Sequence, residues 1–256
     1  MDNYLCFSKI KIRESYIGCA KPTVTEKFHV PKPTLQLVST DAAADRPHSL
    51  DQIESHEQWQ FDFWDETKKI GGWVHFGWNP TTQSIWYVTI IAGVQRRVTL
   101  VAVPDIPTKQ LSRSLEFRAE GIWAHHVCEK PLEHWTVGLE AFGVVLDSTQ
   151  GGLGNQWGQR IGVGLDLEWE SAALPVAFEE GFQQKCSVSG ELLLGSEDFQ
   201  ITATGSRMRS WGSVNSSKIS DDAIRMPIRL ETPSGDLIVD TGLNLGAGTW
   251  SGGIRM

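Results

Sequence analysis

The sequence predicts an antiparallel all-β protein, a barrel or a sandwich. Three observations carry that prediction. From about residue 56 the apolar residues recur with a period of two, the spacing of a half-buried strand. These runs are separated by turn residues at intervals of roughly 10–15 residues, and no segment of useful length has a helical period. The chain also carries eleven Trp beside three Tyr and ten Phe. So many indoles on alternating strands suit a wide apolar interior, each bringing one N–H to be satisfied.

The elements follow in order. Residues 1–50, with "KPTVTEKFHVPKPTLQ" and "DAAADRPHS", show prolines and polar residues without a sustained period and read as an extended N-terminal arm. In "EQWQFDFWD", Trp59, Phe61 and Phe63 share one strand face, and Gln60 and Asp62 the other. "GGWVHFGWNP" sets Val74, Phe76 and Trp78 against Trp73 and His75 and ends on an Asn-Pro turn. "SIWYVTIIAG" is apolar on both faces and reads as a central strand, followed by "RRVTLVAVPD". "RSLEFRAEGIWAHHV" gives two short strands about Glu120-Gly121, and "HWTVGLEAFGVVLD" one longer strand. The glycine-rich loop 148–160 is expected to divide two lobes, 51–160 and 161–256. The second lobe opens with "GVGLDLEWE" and continues through "QKCSVSGELLLG", "EDFQITATGSRMRSWG", "AIRMPIRLETPSG" and "DLIVDTGLNLG", with hairpin turns at Gly195-Ser196 and Ser234-Gly235.

Composition excludes several functions. Hydrophobic residues make up 40% and charged residues 21%, enough for a core. A net charge of -8 disfavours nucleic acid as a partner, since phosphate tracking needs a basic face, and disfavours anionic membranes likewise. No run is long enough to span a bilayer and no secretory signal is apparent, so no stable membrane insertion and a cytoplasmic location are expected. The four cysteines form no CxxC pair and are expected to be free thiols. "GGLGNQWGQR" lacks the spacing of a phosphate loop, and no GxSxG elbow occurs. His125 and His126 are adjacent and so point to opposite strand faces, which does not chelate a metal; no metal and no cofactor are expected.

Two constellations remain. In "CEKPLEHWTVGLEAF", Glu133 and Trp135 fall on one face, His134 and Glu140 on the other. A carboxyl group inside an apolar barrel has its pKa raised and can hold a proton at neutral pH, making Glu133 or Glu140 a candidate proton donor or acceptor. In "ATGSRMRSWG", an unbroken strand puts Arg207, Arg209 and Trp211 on one face, whereas a bulge at Gly205 turns the arginines outward. Buried arginines need carboxylates or a polar ligand; Asp166, Glu168, Glu179 and Glu180 are the candidate partners.

"GIWAHHVCEKPLEHWTVGLEAFGVVLD", "GVGLDLEWE", "AFEEGFQQKCSVSGELLLG" and "GSRMRSWG", in that order over about residues 50–212, resemble a bacterial family related to carotenoid 1,2-hydratase (hydroxyneurosporene synthase). That superfamily is also similar to kievitone hydratase and to fungal Diels–Alderases. The resemblance implies two consecutive lipocalin-like barrel lobes and a cofactor-independent enzyme acting on a hydrophobic terpenoid, polyene or polyketide metabolite by hydration, cyclisation or isomerisation. A non-catalytic carrier of a hydrophobic small molecule is the alternative. The family pattern G-x-R-D-H-x-W-G is met at Gly205, Arg207, Trp211 and Gly212, but Met208 stands at the usual Asp and Arg209 at the usual His. Arginine does not shuttle protons near pH 7, so the resemblance implies that Arg207 and Arg209 bind or polarise a substrate oxygen rather than drive hydration. Trp211, Trp135, Trp78, Trp86, Trp123 and His134 are the expected substrate-binding residues.

Overall fold

A computed structural model describes residues 42–48, 55–80, 82–108, 111, 114–147, 157–178, 181–213, 223–232, 235–244 and 249–255. Side chains are described through Trp211. The protein is all-β, as the two-residue period predicts. A 3-10 turn (Ala42–Asp45) precedes β1 (Ser55–Asp65), β2 (Ile70–Asn79), β3 (Ser84–Gly93), β4 (Arg96–Pro107), β5 (Ser114–Ala119), β6 (Ile122–Lys130), β7 (His134–Leu146), β8 (Gly158–Ser171), β9 (Val176–Phe178), β10 (Gly181–Leu194) and β11 (Glu197–Ser213). A separate antiparallel sheet contains β12 (Ala223–Thr232), β13 (Gly235–Asn244) and β14 (Thr249–Arg255).

The large sheet closes on itself. Its hydrogen-bonded order runs β4-β3-β2-β1-β11-β10-β8-β7, and β4 returns to β7 through Thr99↔Val145 and Leu100↔Val144. The result is an antiparallel ring of eight strands, which leaves no open edge along that path. The second half of β7 meets β4, while its first half pairs with β6, which in turn pairs with β5. The β5–β6 hairpin therefore fills in beside β4 and widens one end of the barrel. β9 adds a short strand to β10.

The expected division at residue 160 falls inside this ring. β7 and β8 pair along the whole of β7, and β11 pairs with β1. β7 and β8, which flank residues 148–156, are neighbouring strands of the ring. Residues 1–41 and 49–50 of the expected arm lie outside the described residues; 42–48 pack on the barrel.

The alternation decides the core. Trp59, Phe61, Phe63, Val74, Phe76, Trp78, Tyr87, Trp135, Val137, Leu165, Leu167, Trp169 and Val188 fill the interior. On β8 and β10 the opposite face is polar and exposed, as at Asp166, Glu168, Lys185 and Ser187. On β2–β4 the opposite face is apolar too, with Trp73, Trp86, Val88, Ile90, Val98 and Leu100 in a second cluster. Gly205 lets β11 approach β1: a Cβ there would strike the Asp62 carbonyl, the oxygen that accepts a hydrogen bond from Trp169 Nε1 at 3.0 Å.

Candidate functional site in the wide end of the barrel

The register of β11 runs unbroken through Gly205 against both neighbours, so no bulge intervenes. Arg207 and Arg209 therefore point inward and are buried to 3% and 0% exposure. Their carboxylate partners, Asp45 and Glu57, are not among the candidates the sequence offered. Arg207 donates from Nη1 and Nη2 to the two Asp45 carboxylate oxygens at 2.5 and 2.9 Å, and from Nε and Nη2 to Gln184 Oε1 at 2.9 and 2.7 Å. Its guanidinium also lies 5.0 Å from the Phe182 ring. Arg209 pairs with the buried carboxylate of Glu57 and donates to the carbonyls of Ser210, Gln58 and Arg46. It lies 4.0 Å from the Trp59 ring and 5.3 Å from that of Trp211. Burial lowers the Arg209 pKa to about 9, with the Asp45 carboxylate opposing, so the group stays charged at neutral pH.

These contacts close the barrel's wide end. Asp45 also accepts from the Leu132 amide. His48 donates its backbone N–H to Glu57 at 3.0 Å, and its ring rests 4.8 Å from Trp211. Residues 42–48 are thus strapped across the mouth by the buried Asp45–Arg207 ion pair and by hydrogen bonds from Arg209 to the Arg46 carbonyl and from the His48 amide to Glu57. Arg207 spends every donor group on Asp45 and Gln184. The expected partners Asp166 and Glu168 stand on the outer face of β8, and Glu179 and Glu180 lie outside the described residues.

Below the strap the interior is aromatic. Arg209 leads through Trp59, stacked on Phe76 at 5.3 Å, to His126; Arg207 leads through Trp135 and Phe61 to the same residue. His126 is completely buried, with ring centroids of Phe76, Phe117, Tyr87 and Phe61 at 4.8, 5.6, 5.8 and 6.5 Å. Among the described residues neither ring nitrogen makes a hydrogen bond of good geometry, a loose contact with the His125 backbone apart, and Trp59 Nε1 and Trp135 Nε1 also lack one. Burial, with the nearby His125, lowers the His126 pKa to about 3, so the imidazole is neutral. A neutral imidazole presents one N–H donor and one bare nitrogen. Sequence reasoning treated the His125-His126 pair only as a metal candidate. The available signal was parity: His126 shares a face with Ile122 and Ala124, both core residues.

The other expected residues divide. Trp135 and Trp78 lie in the interior, Trp78 donating to the Thr108 carbonyl at 3.2 Å, and Trp211 flanks the mouth. Glu133, Glu140, His134, Trp123 and Trp86 are not brought to it. Glu133 sits in the β6–β7 turn paired with Lys130 at 2.5 Å, and Glu140 is exposed on the outer face of β7. A turn separates Glu133 from the strand parity it was given. Trp123 lies outside against Arg118 and Glu116. Trp86 packs on the outer face with His75 over Gly77, where a Cβ would come within 2.5 Å of its ring. His134 lies outside too; its ligand atom and those of Glu168 and Glu170 are within 4.8 Å of one another on the barrel surface. Cys128 and Cys186 are free thiols raised to about 12, chiefly by burial, and so are poor nucleophiles.

The fold and site define a closed antiparallel β-barrel whose aromatic interior holds a neutral, buried histidine under an ion-paired strap. The chain belongs to the family described as "Domain of unknown function (DUF7064)", whose model matches residues 41–220, from the strap past the last strand of the ring. No curated protein matches it. Among solved structures it is similar to "Crystal structure of CghA with Sch210972", at 11% identity and a TM-score of 0.38, and to "Crystal structure of CghA", at 12% and 0.37. In both cases the alignment covers 75% of this chain and 58% of the other, so the chain spans little more than half the length of those proteins. Among the described residues, no helix is long and apolar enough to cross a membrane.

Proposed function

We propose that the protein takes a hydrophobic, carbonyl-bearing small molecule of terpenoid, polyene or polyketide type into the wide end of the barrel. There it isomerises or cyclises the molecule without a cofactor. The observation that carries this reading is His126: a neutral imidazole, without a well-formed hydrogen bond among the described residues and walled by four aromatic rings. A buried polar group without a partner costs about 1–3 kcal/mol, and an apolar residue of similar shape would avoid that cost. The N–H of a neutral imidazole can polarise a carbonyl, as in other enzymes that keep histidine uncharged. The aromatic faces stabilise positive charge developing on the substrate, and holding the substrate among them removes its rotational freedom before reaction. Hydration is less well supported, because an imidazole that stays neutral above about pH 3 holds no proton to give an alkene. In this reading Arg207 and Arg209 secure the strap past which the ligand enters, rather than touching its oxygen.

A carrier is the second reading. It is favoured by the engagement of Glu57, Arg207 and Arg209 in ion pairs, which leaves none of these three charges for chemistry. One experiment separates the two. The protein is incubated with a hydrophobic extract of its source, and bound and released material are compared by mass spectrometry and chromatography. An isomer of unchanged mass and new retention time, formed by the wild type and not by His126→Phe, is expected. Bound ligand recovered unaltered identifies a carrier. Equal conversion by the variant refutes the role of His126.

A further inference from the structure

The end of the barrel opposite the strap opens to solvent. The starts of β4 and β8, the end of β7 and the β10–β11 turn line a cleft there of about 470 Å³, within the size range of small-molecule sites. Val145, Ile161 and Leu194 face inward and give it an apolar floor. A bridge crosses it. Arg96 donates from Nη1 and Nη2 to the two Glu197 oxygens at 2.7 and 2.8 Å and lies 5.0 Å from the Phe199 ring. β4 and β11 stand across the ring from each other, with β3, β2 and β1 between them one way and β7, β8 and β10 the other. The pair therefore spans the mouth and neutralises Glu197. Arg97 is held less firmly. It shares the inward face of β4 with Thr99 and Val101. Among the described residues it makes one hydrogen bond, from Nη2 to the Val145 carbonyl at 3.2 Å. Its ion pair with Asp147 is also at 3.2 Å, between side chains 54% and 63% exposed, and such pairs contribute little. The mouth thus holds a guanidinium with donors to spare beside an apolar floor.

We propose that this mouth is a second small-molecule site, which takes an amphiphilic carboxylate: a chain of several carbons ended by the charged group. The carboxylate accepts from the Arg97 fork, whose planar geometry matches it, in exchange for Asp147. The chain covers Val145, Ile161 and Leu194 in place of water. Charge selects the head group, because two arginines and one glutamate line the cleft although the whole chain carries a net charge of -8. The floor selects the tail, since an inorganic anion would leave it wet. The site does not depend on the role given to His126, which lies under the strap at the other end.

Octanoate is the probe, with octan-1-ol (the chain without the charge) and acetate (the charge without the chain) as controls. Binding is followed by NMR of protein carrying 13C-methyl isoleucine, the Ile161 signal being assigned with Ile161→Val. Octanoate is expected to shift the Ile161 methyl saturably, octan-1-ol to bind more weakly, and acetate at the same concentration to leave the signal in place. Arg97→Gln should weaken octanoate about fivefold or more. His126→Phe should leave its affinity unchanged. No saturable shift at Ile161, equal affinity for octan-1-ol, or undiminished affinity in Arg97→Gln overturns the proposal. A loss of affinity in His126→Phe places octanoate in the aromatic interior and overturns it too. The wild-type comparison of octanoate with octan-1-ol decides the matter even where a variant folds poorly.

Discussion

Replacing His126 with phenylalanine should make the protein more stable at neutral pH and less sensitive to acid. The ordinary histidine pKa of 6.5 is lowered to about 3 in the folded chain. Between those values the unfolded chain binds a proton that the folded chain refuses, so stability is lost as pH falls below 6.5. From pH 7 to pH 5 this single group removes about 2 kcal/mol, taking RT ln(1 + 10^(pKa − pH)) for each state. His75, also lowered to about 3 by burial, adds a comparable loss. Asp62 acts in the opposite direction: its pKa is raised from 3.8 to about 6, so the strain of its buried charge is relieved as pH falls through that window. His75 and Asp62 act alike in wild type and variant, so the difference between the two proteins isolates His126. Urea unfolding followed by tryptophan fluorescence at pH 7 and pH 5 should show the variant losing about 2 kcal/mol less than the wild type. At pH 7 the variant should be more stable by about 1–3 kcal/mol, the cost of the unpaired imidazole. Equal acid sensitivity in the two proteins would refute the neutral, enclosed state of His126.

Other consequences are as direct. Asp45→Leu leaves the Arg207 guanidinium without its carboxylate and should destabilise by about 3 kcal/mol, much of it recovered in the Asp45→Leu, Arg207→Met double variant; denaturant titration of the wild type, the two single variants and the double variant measures the coupling. Gly190 has a φ of 134° and its Cβ would meet the Asp166 carbonyl, so Gly190→Ala should lower the thermal midpoint by several degrees, roughly 4 or more. Glu140→Gln and Trp123→Ala, on the outer surface, should stay within about 0.5 kcal/mol of wild type and leave ligand conversion intact; a loss of conversion in either would return these residues to the site.

Much of the fold was legible because strand parity is a local property. Trp59, Phe61 and Phe63 announced an inward face, and "SIWYVTIIAG" announced a strand buried on both sides, which β3 is. The ring was not legible, because β1 and β11 pair across the greater part of the chain and no local pattern encodes that register. The site was half legible for the same reason. Parity put Arg207 and Arg209 on the inward face, but their partners are Asp45, in a segment without a period, and Glu57, at the first turn of the alternation. Glu133 misled because the β6–β7 turn breaks the parity that places Trp135 inside.

The pairing of β1 with β11 has a consequence for synthesis. The chain emerges with Asp45 and Glu57 early and with Arg207 and Arg209 more than a hundred residues later, so two carboxylates destined for burial wait in water for their cations. Until β11 is released the barrel has an open side between β1 and β10, each presenting unpaired backbone groups. A ribosome-bound chain stopped before residue 200 therefore exposes two strand edges and an aromatic interior at once. Such a nascent chain is the form most in need of a chaperone, and the arrival of two arginines seals both the sheet and its mouth.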